Sequence, residues 1–385
     1  MMLRGELASL ELKMGITMKK TLYSTTVLAA AGLLTLGASD AFAQAAAPAA
    51  PEKLKLSLGG FMNQYIGYVD QENAGQLRTK GFDQKSDSEI YFTGSVKLDS
   101  GITASVVIQL EADTVTGDTF DESYVRLDTD FGQFRLGQSD AAGLALQVEA
   151  PTVGLNHTNG DMATWIVNPS TNNAGIGGTT VGGGDDNRVY YITPSFAGFR
   201  AGTSYAASTT ENASTMPLNN EPDIWDVSAR WEGTVGDFKL TVGGGYWWTE
   251  GSTSTSSGSS RNWQAGTQIT FADFTLGGGY GVKSAKRGDT AGADVTAWNL
   301  GLVYKPGPWS AGIAYHNGDA AASRTAPNQD TEDTTRRWAL GATYNIGPGV
   351  ELMSNIIYHR YTDEANVQTS QNTGLAVVGG LQISF

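Results

Sequence analysis

Three histidines and several glycine clusters are the features of this 385-residue chain that could carry catalytic or metal chemistry, and cysteine is absent. His157, His316 and His359 lack the i, i+4 spacing by which a helix presents two imidazoles to one metal. No G-x-S-x-G elbow accompanies them, so a nucleophile for hydrolysis has no evident seat. The missing cysteines remove disulfides, thiol nucleophiles and thiolate metal ligands together. Gly182–Gly184 and Gly243–Gly245 are not followed by the Lys-Ser/Thr that a phosphate-cradling loop needs. The expectation is a protein without catalytic residues, metal or cofactor.

What remains is charge set against an alternating background. Arg135 lies between Phe134 and Leu136, Arg188 precedes Val189, and Arg200 lies between Phe199 and Ala201. Arg230 sits between Ala229 and Trp231, Arg337 precedes Trp338, and Glu111 follows Leu110. On a strand, successive side chains point to opposite faces, so these charges share the polar face while their neighbours share the apolar one. Charged groups lining a polar face can select or orient passing ions. Simple solvation is the competing reading for each of them. Arg126, close to a tight turn, reads as a rim residue.

The elements that must hold these charges follow from the same alternation. About sixteen runs, the first beginning near Leu54 and the last near Thr373, alternate apolar with polar or small residues. In the final run Val377, Gly379, Leu381, Ile383 and Phe385 fall on one phase, with Ala376, Gly380 and Ser384 on the other. Connections alternate in length. Tight ones, such as 99–101, 130–132, 272–273 and 347–349, take turns with long polar ones, such as 70–88, 208–222, 251–261 and 319–335. All eleven prolines fall outside the strand cores, as they must where each N–H has to be paired. Trp225, Trp231, Trp248, Trp263, Trp298, Trp309 and Trp338 fall on the apolar phase near strand ends, the place of interfacial girdles. The expected fold class is all-β: a transmembrane antiparallel up-and-down barrel of about 16 strands.

Bulk properties agree. The mean hydropathy of −0.23 resembles that of a soluble protein, but a membrane barrel averages lipid-facing against lumen-facing residues. A net charge of −14 argues against nucleic acid as a partner. Met18-Lys19-Lys20, the apolar stretch Val27–Leu36 and Ala41-Phe42-Ala43 read as a secretory signal peptide over 18–43, cut after Ala43. Residues 1–17 fit no part of it and read as an extension from an early start, with Met18 the expected true start. Residues 44–53 form a short Ala/Pro-rich leader, and 54–385 the barrel.

Three stretches carry a resemblance to a known family. They are Ser88–Leu98 (SEIYFTGSVKL) with GITA and QLE after it; SYVRL at Ser123–Leu127 with DFGQFRLGQ at Asp130–Gln138; and NRVYY at Asn187–Tyr191 with TPSFAGFRAGTSY at Thr193–Tyr205. With the terminal Phe385, and in this order, they resemble the general diffusion porins of Gram-negative bacteria. The resemblance implies a sixteen-stranded barrel in the cell outer membrane, a homotrimer, and a final aromatic read by the barrel-insertion machinery. It also implies a long third loop folded into the lumen. Residues 139–187, where alternation vanishes, fit such a constriction loop, and Glu149 and Asp161 are its acids best placed to face wall arginines. Trp247 and Tyr190 are the aromatics expected to point inward. Leu58–Asn63 departs from the family: many relatives carry a base early on the lumen face of the first strand, and none stands here.

The function expected is therefore passive diffusion of ions and small hydrophilic solutes through a water-filled channel, with outer-membrane lipid around it. A substrate-selective sugar or anion channel is the alternative within the same architecture. An outer-membrane barrel hydrolase is the alternative of another class.

Overall fold

A computed structural model describes residues 53–72, 81–112, 120–155, 165–169, 184–208, 223–250, 259–285, 294–321, 332–362 and 371–385. The signal segment, the extension before it and most of the leader lie outside these residues, as do His157 and Asp161.

Sixteen strands occur: β1 (Lys55–Gln71), β2 (Phe82–Lys97), β3 (Thr103–Glu111), β4 (Phe120–Thr129), β5 (Gly132–Gln138), β6 (Asn187–Ile192), β7 (Phe199–Ala206) and β8 (Asp223–Val235) form one half. The other half is β9 (Phe238–Glu250), β10 (Ser260–Phe271), β11 (Phe274–Ala285), β12 (Val295–Tyr304), β13 (Trp309–Ala321), β14 (Glu332–Gly347), β15 (Val350–Thr362) and β16 (Asn372–Ser384). Each pairs antiparallel with its sequence neighbours, and β1 pairs with β16, so the sheet closes. Closure leaves no open edge, which hydrocarbon would not tolerate. Among the described residues one short helix, α1 (Ala142–Leu146), lies between β5 and β6, where no helical period stands out.

The pleat divides the residues as the alternation requires. Leu56, Leu58, Met62 and Ile66 of β1 are exposed on the outside, Leu56 at 79%, while Asn63, Tyr65, Gly67 and Val69 face in and are covered. Aromatic side chains meet across neighbouring strands in two bands. Near the tight turns lie Phe134–Tyr191, Phe199–Trp231, Phe238–Phe271, Phe274–Tyr304 and Trp309–Tyr344. Nearer the long connections lie Tyr205–Trp225, Trp225–Trp248, Trp263–Tyr280, Trp298–Tyr315 and Tyr315–Trp338. On β9 the bands are separated by the run from Phe238 to Trp248. Ten steps of ~3.3 Å along a strand tilted by ~40° span roughly 25 Å, the height of the apolar band of an outer-membrane barrel.

Two strands start earlier than the alternation suggests. β2 begins at Phe82 and not near Glu89, and β14 at Glu332 and not near Arg337, so the connections 70–88 and 319–335 are shorter than expected. The added residues, Asp83 to Asp87 and Glu332 to Arg336, are polar on both faces. Strand ends with polar residues on both faces lose the alternation that reveals them.

The seam is finished by the last residue. Phe385 N–H donates to the Gly60 carbonyl and Gly60 N–H to that of Phe385, both at 3.1 Å, while Ser384 N–H donates to Gly349 O at 2.7 Å. Deleting Phe385 removes two of these bonds, at about 0.5–1.5 kcal/mol each. The expected outcome is a folded barrel whose thermal transition, read by heat-modified gel mobility, falls by several degrees; an unchanged transition would contradict the role given to this contact.

Candidate functional site

Irregular backbone inside a barrel must still find partners for its N–H and C=O groups. Residues 139–155 and 165–169 find them on inward-facing side chains around the wall. Gly143 N–H donates to Asp226 Oδ1 of β8 at 2.7 Å and Asp140 N–H to Glu122 Oε1 of β4 at 2.8 Å. Ala150 N–H donates to Asn299 Oδ1 of β12 at 2.8 Å, and Leu155 N–H to Asn355 Oδ1 of β15 at 3.1 Å. In the other direction Gln264 and Gln268 of β10 donate to the carbonyls of Val148 and Glu149, at 2.6 and 2.8 Å. Val167 N–H donates to Gln71 of β1 at 3.1 Å, and Asn372 of β16 donates to Val167 O at 2.7 Å.

The same wall is cut down where the segment lies against it. A Cβ at Gly266 would overlap the Val148 carbonyl, one at Gly301 the Pro151 carbonyl, and one at Gly341 the Val153 carbonyl. A Cβ at Gly67 would overlap the indole of Trp165. These glycines sit in mid-strand, where they weaken a sheet, and the close approach explains them. Leu155, Trp165 and Ile166 then pack with Tyr65, Ile357, Tyr361 and Ala376, while Ala142 and Leu146 pack with Tyr190 and Ile192.

Register places every charged wall position singled out in the sequence on the inner face, but at different depths. Arg188 is covered: it pairs with Asp186 at 2.8 Å and donates to Ser204 Oγ at 3.1 Å and Gly184 O at 2.5 Å. Arg337 is 1% exposed and lies in cross-strand register between His316 and His359. Arg135 is partly open, its guanidinium carbon 4.8 and 4.6 Å from the ring centres of Tyr124 and Tyr190. Arg200 and Arg230 face each other in register and share Glu232, at 3.9 and 2.6 Å. Arg126, read as a rim residue, faces Arg135 in register and pairs with Asp128 at 2.9 Å. Glu111 and Glu149 are half-buried. Trp247 and Tyr190 face inward by register.

Charge is layered along the barrel axis. Arg126, Arg135, Arg200 and Arg230 lie toward the tight turns of β4, β5, β7 and β8. Acids gather toward the long connections: the carboxylates of Glu89, Glu111 and Asp121 lie within 4.8 Å of one another, and so do those of Glu122, Asp140 and Asp185. Such oxygen sets are what a hard cation takes. Crowded carboxylates also relieve repulsion by keeping a proton. Asp140, between β5 and α1, does so: burial, with Glu122 and Asp121 nearby, pushes its carboxyl up to about 6. Burial likewise raises Asp186, against the pull of Arg188.

Sequence reasoning missed the glycine seat, the amide side chains that bind the segment, and Glu89, Asp121, Glu122, Asp140 and Asp185 of the two acidic clusters. Its one available signal was the period-two recurrence of Asn, Gln and Gly on the polar phase.

Residues 24–364 match a family model described as Gram-negative porin. Among solved structures, an anion-selective porin from Comamonas acidovorans superposes with a TM-score of 0.61 at 18% identity, covering 86% of this chain and 100% of that one. OmpT, an outer membrane protein of Vibrio cholerae in its trimer form, gives 0.59 at 12%, covering 87% and 100%. The outer membrane channel DcaP of Acinetobacter baumannii gives 0.61 at 12%, covering 86% and 97%. At these identities the likeness is one of fold. No curated protein matches the chain in sequence.

The raised carboxyl of Asp140 makes a signed prediction. Its folded value lies above the unfolded one, so the folded state holds the proton more tightly, and stability falls as pH rises from about 4 to about 6. Asp140→Asn should remove that slope. Thermal midpoints of mutant and parent should coincide near pH 4, with the mutant higher at pH 7.5; equal midpoints at both would refute the assignment.

Proposed function

This chain belongs to the Gram-negative porins, and from that premise we propose that it works as a homotrimeric outer-membrane channel for passive diffusion of ions and small hydrophilic solutes. Residues 139–187 act as its constriction. A sixteen-stranded barrel encloses more space than its own side chains fill, so a lumen exists to be narrowed. The observation that carries the reading is the set of hydrogen bonds from residues 139–155 and Val167 to inward side chains of β1, β4, β8, β10, β12, β15 and β16. A backbone tied at so many points around one wall is a fixed obstacle to flow along it.

Of the charges expected to line the channel, Arg135, Arg200, Arg230, Glu111 and Glu149 keep surface through which they act on a solute. Arg188 and Arg337 brace the wall beneath. Asp161 is assigned to the constriction from the sequence alone. Export by a signal peptide over 18–43, cut after Ala43, and assembly of the barrel through its terminal Phe385 complete the proposal.

Protein purified from outer membranes and inserted into planar bilayers tests it. The expected record is ohmic current arriving in groups of three equal steps. Inserted protein that passes no current would overturn the channel, and single steps from a monomer would overturn the trimer.

A further inference from the structure

We infer that the tight-turn side of the lumen holds a binding subsite for small organic dicarboxylates. The inference rests on the channel reading above and adds a ligand class to it. A cavity of about 700 Å³ opens there, between the turn ends of β4 to β8 and the underside of α1 at Ala145. Arg135, Arg200, Gln133 and Tyr190 line it together with the carboxylates of Asp128 and Glu232.

Two features set this cavity apart from a merely solvated wall. The first is that each arginine lining it faces a second arginine on the neighbouring strand, just outside the cavity. Arg126 faces Arg135 and Arg200 faces Arg230, each in direct cross-strand register on the inner face. Like charges so placed work against the sheet, and opposite charges at the same positions would help it. The carboxylates within reach do not balance them. Arg126 has Asp128, and Arg200 and Arg230 divide Glu232 between them. Arg135 has Glu122 only at 4.0 Å, and Glu122 already accepts from Asp140 N–H and Gln109. Among the described residues four guanidinium groups thus face three carboxylates, and an anionic solute supplies what is missing.

The second feature is rigidity. Arg135 lies over two tyrosine rings and donates from Nε to Gln133 at 3.1 Å, which leaves the outer edge of its fork free for a planar carboxylate. Little side-chain entropy then remains to be lost on binding. The two arginine pairs lie on β4–β5 and β7–β8 with β6 between, so the inner strands β5 and β7 stand roughly 10 Å apart. Long arginine side chains converging from that separation suit a short molecule with a carboxylate at each end.

The two clusters of three carboxylates sit on the long-connection side of the segment and the opposed arginines on the tight-turn side, so charge is distributed unequally along the described wall. Binding should therefore be sided. In bilayers, succinate added from the tight-turn side should reduce single-channel KCl current with half effect at about 1–10 mM. From the other side it should need roughly tenfold more. Because the chain has no cysteine, Asp273→Cys at a tight turn, labelled by an impermeant thiol reagent, fixes the orientation of each channel. Arg200→Gln should weaken the effect about tenfold. Arg200→Lys should weaken it for succinate while leaving the weak effect of chloride, because it keeps charge and loses the fork. Glu232→Gln, which frees both arginines of the pair, should strengthen it. Channels of normal conductance that succinate leaves untouched, or blocks equally from both sides and in all variants, would overturn the subsite while leaving the channel standing. Protein that inserts and never conducts would overturn both.

Discussion

In hydrocarbon an unpaired backbone N–H has no water to turn to, and each one costs several kcal/mol. Sixteen strands meet that demand only as a ring, so the pairing of β1 with β16 is the contact on which the remainder rests. The ring forces the pleat to divide side chains between lipid and lumen. It also confines irregular backbone to one place, the inside, where water and side chains can solvate it. The aromatic bands, the polar interior and the seating of residues 139–155 and 165–169 all follow from that division.

Inside the ring a second version of the same demand operates. The stretch after β5 leaves the sheet and gives up ladder hydrogen bonds, and Asp226, Asn299, Asn355, Gln264 and Gln71 return them one at a time. The glycines beneath are the steric complement of those bonds. A carbonyl such as Val148 O reaches its amide partner only if Gly266, on the strand that supplies the amide, has no Cβ. Hydrogen bonds and glycines thus act as one fitted surface between the described part of this stretch and the strands it lies against.

Much of this was legible beforehand, for reasons that particular residues make plain. The Phe238–Trp248 run alternates because each residue meets either lipid or water, so composition reports the face directly. Asp83–Asp87 is polar on both faces, and there the strand is invisible. Arg188, Arg200 and Arg337 occupy the same phase, yet one is open and two are covered. Alternation fixes a face and says nothing about what lies over it. Gly266 looks like a strand defect because its reason, Val148, stands more than a hundred residues away. Arg126, close to a tight turn, stands in register with Arg135, a pairing that distance from the turn does not reveal.

The central claim is that a wide ring is narrowed at one level by a segment fastened to its inner wall. Nonelectrolyte polymer exclusion tests it most directly. Single-channel conductance is measured with polyethylene glycols of graded size added to one side, the other, or both. A waist between two wider mouths predicts polymers that enter from each side and lower the conductance yet fail to pass. A single cutoff, with every polymer that enters also passing, would mean a lumen of uniform width and would contradict the account.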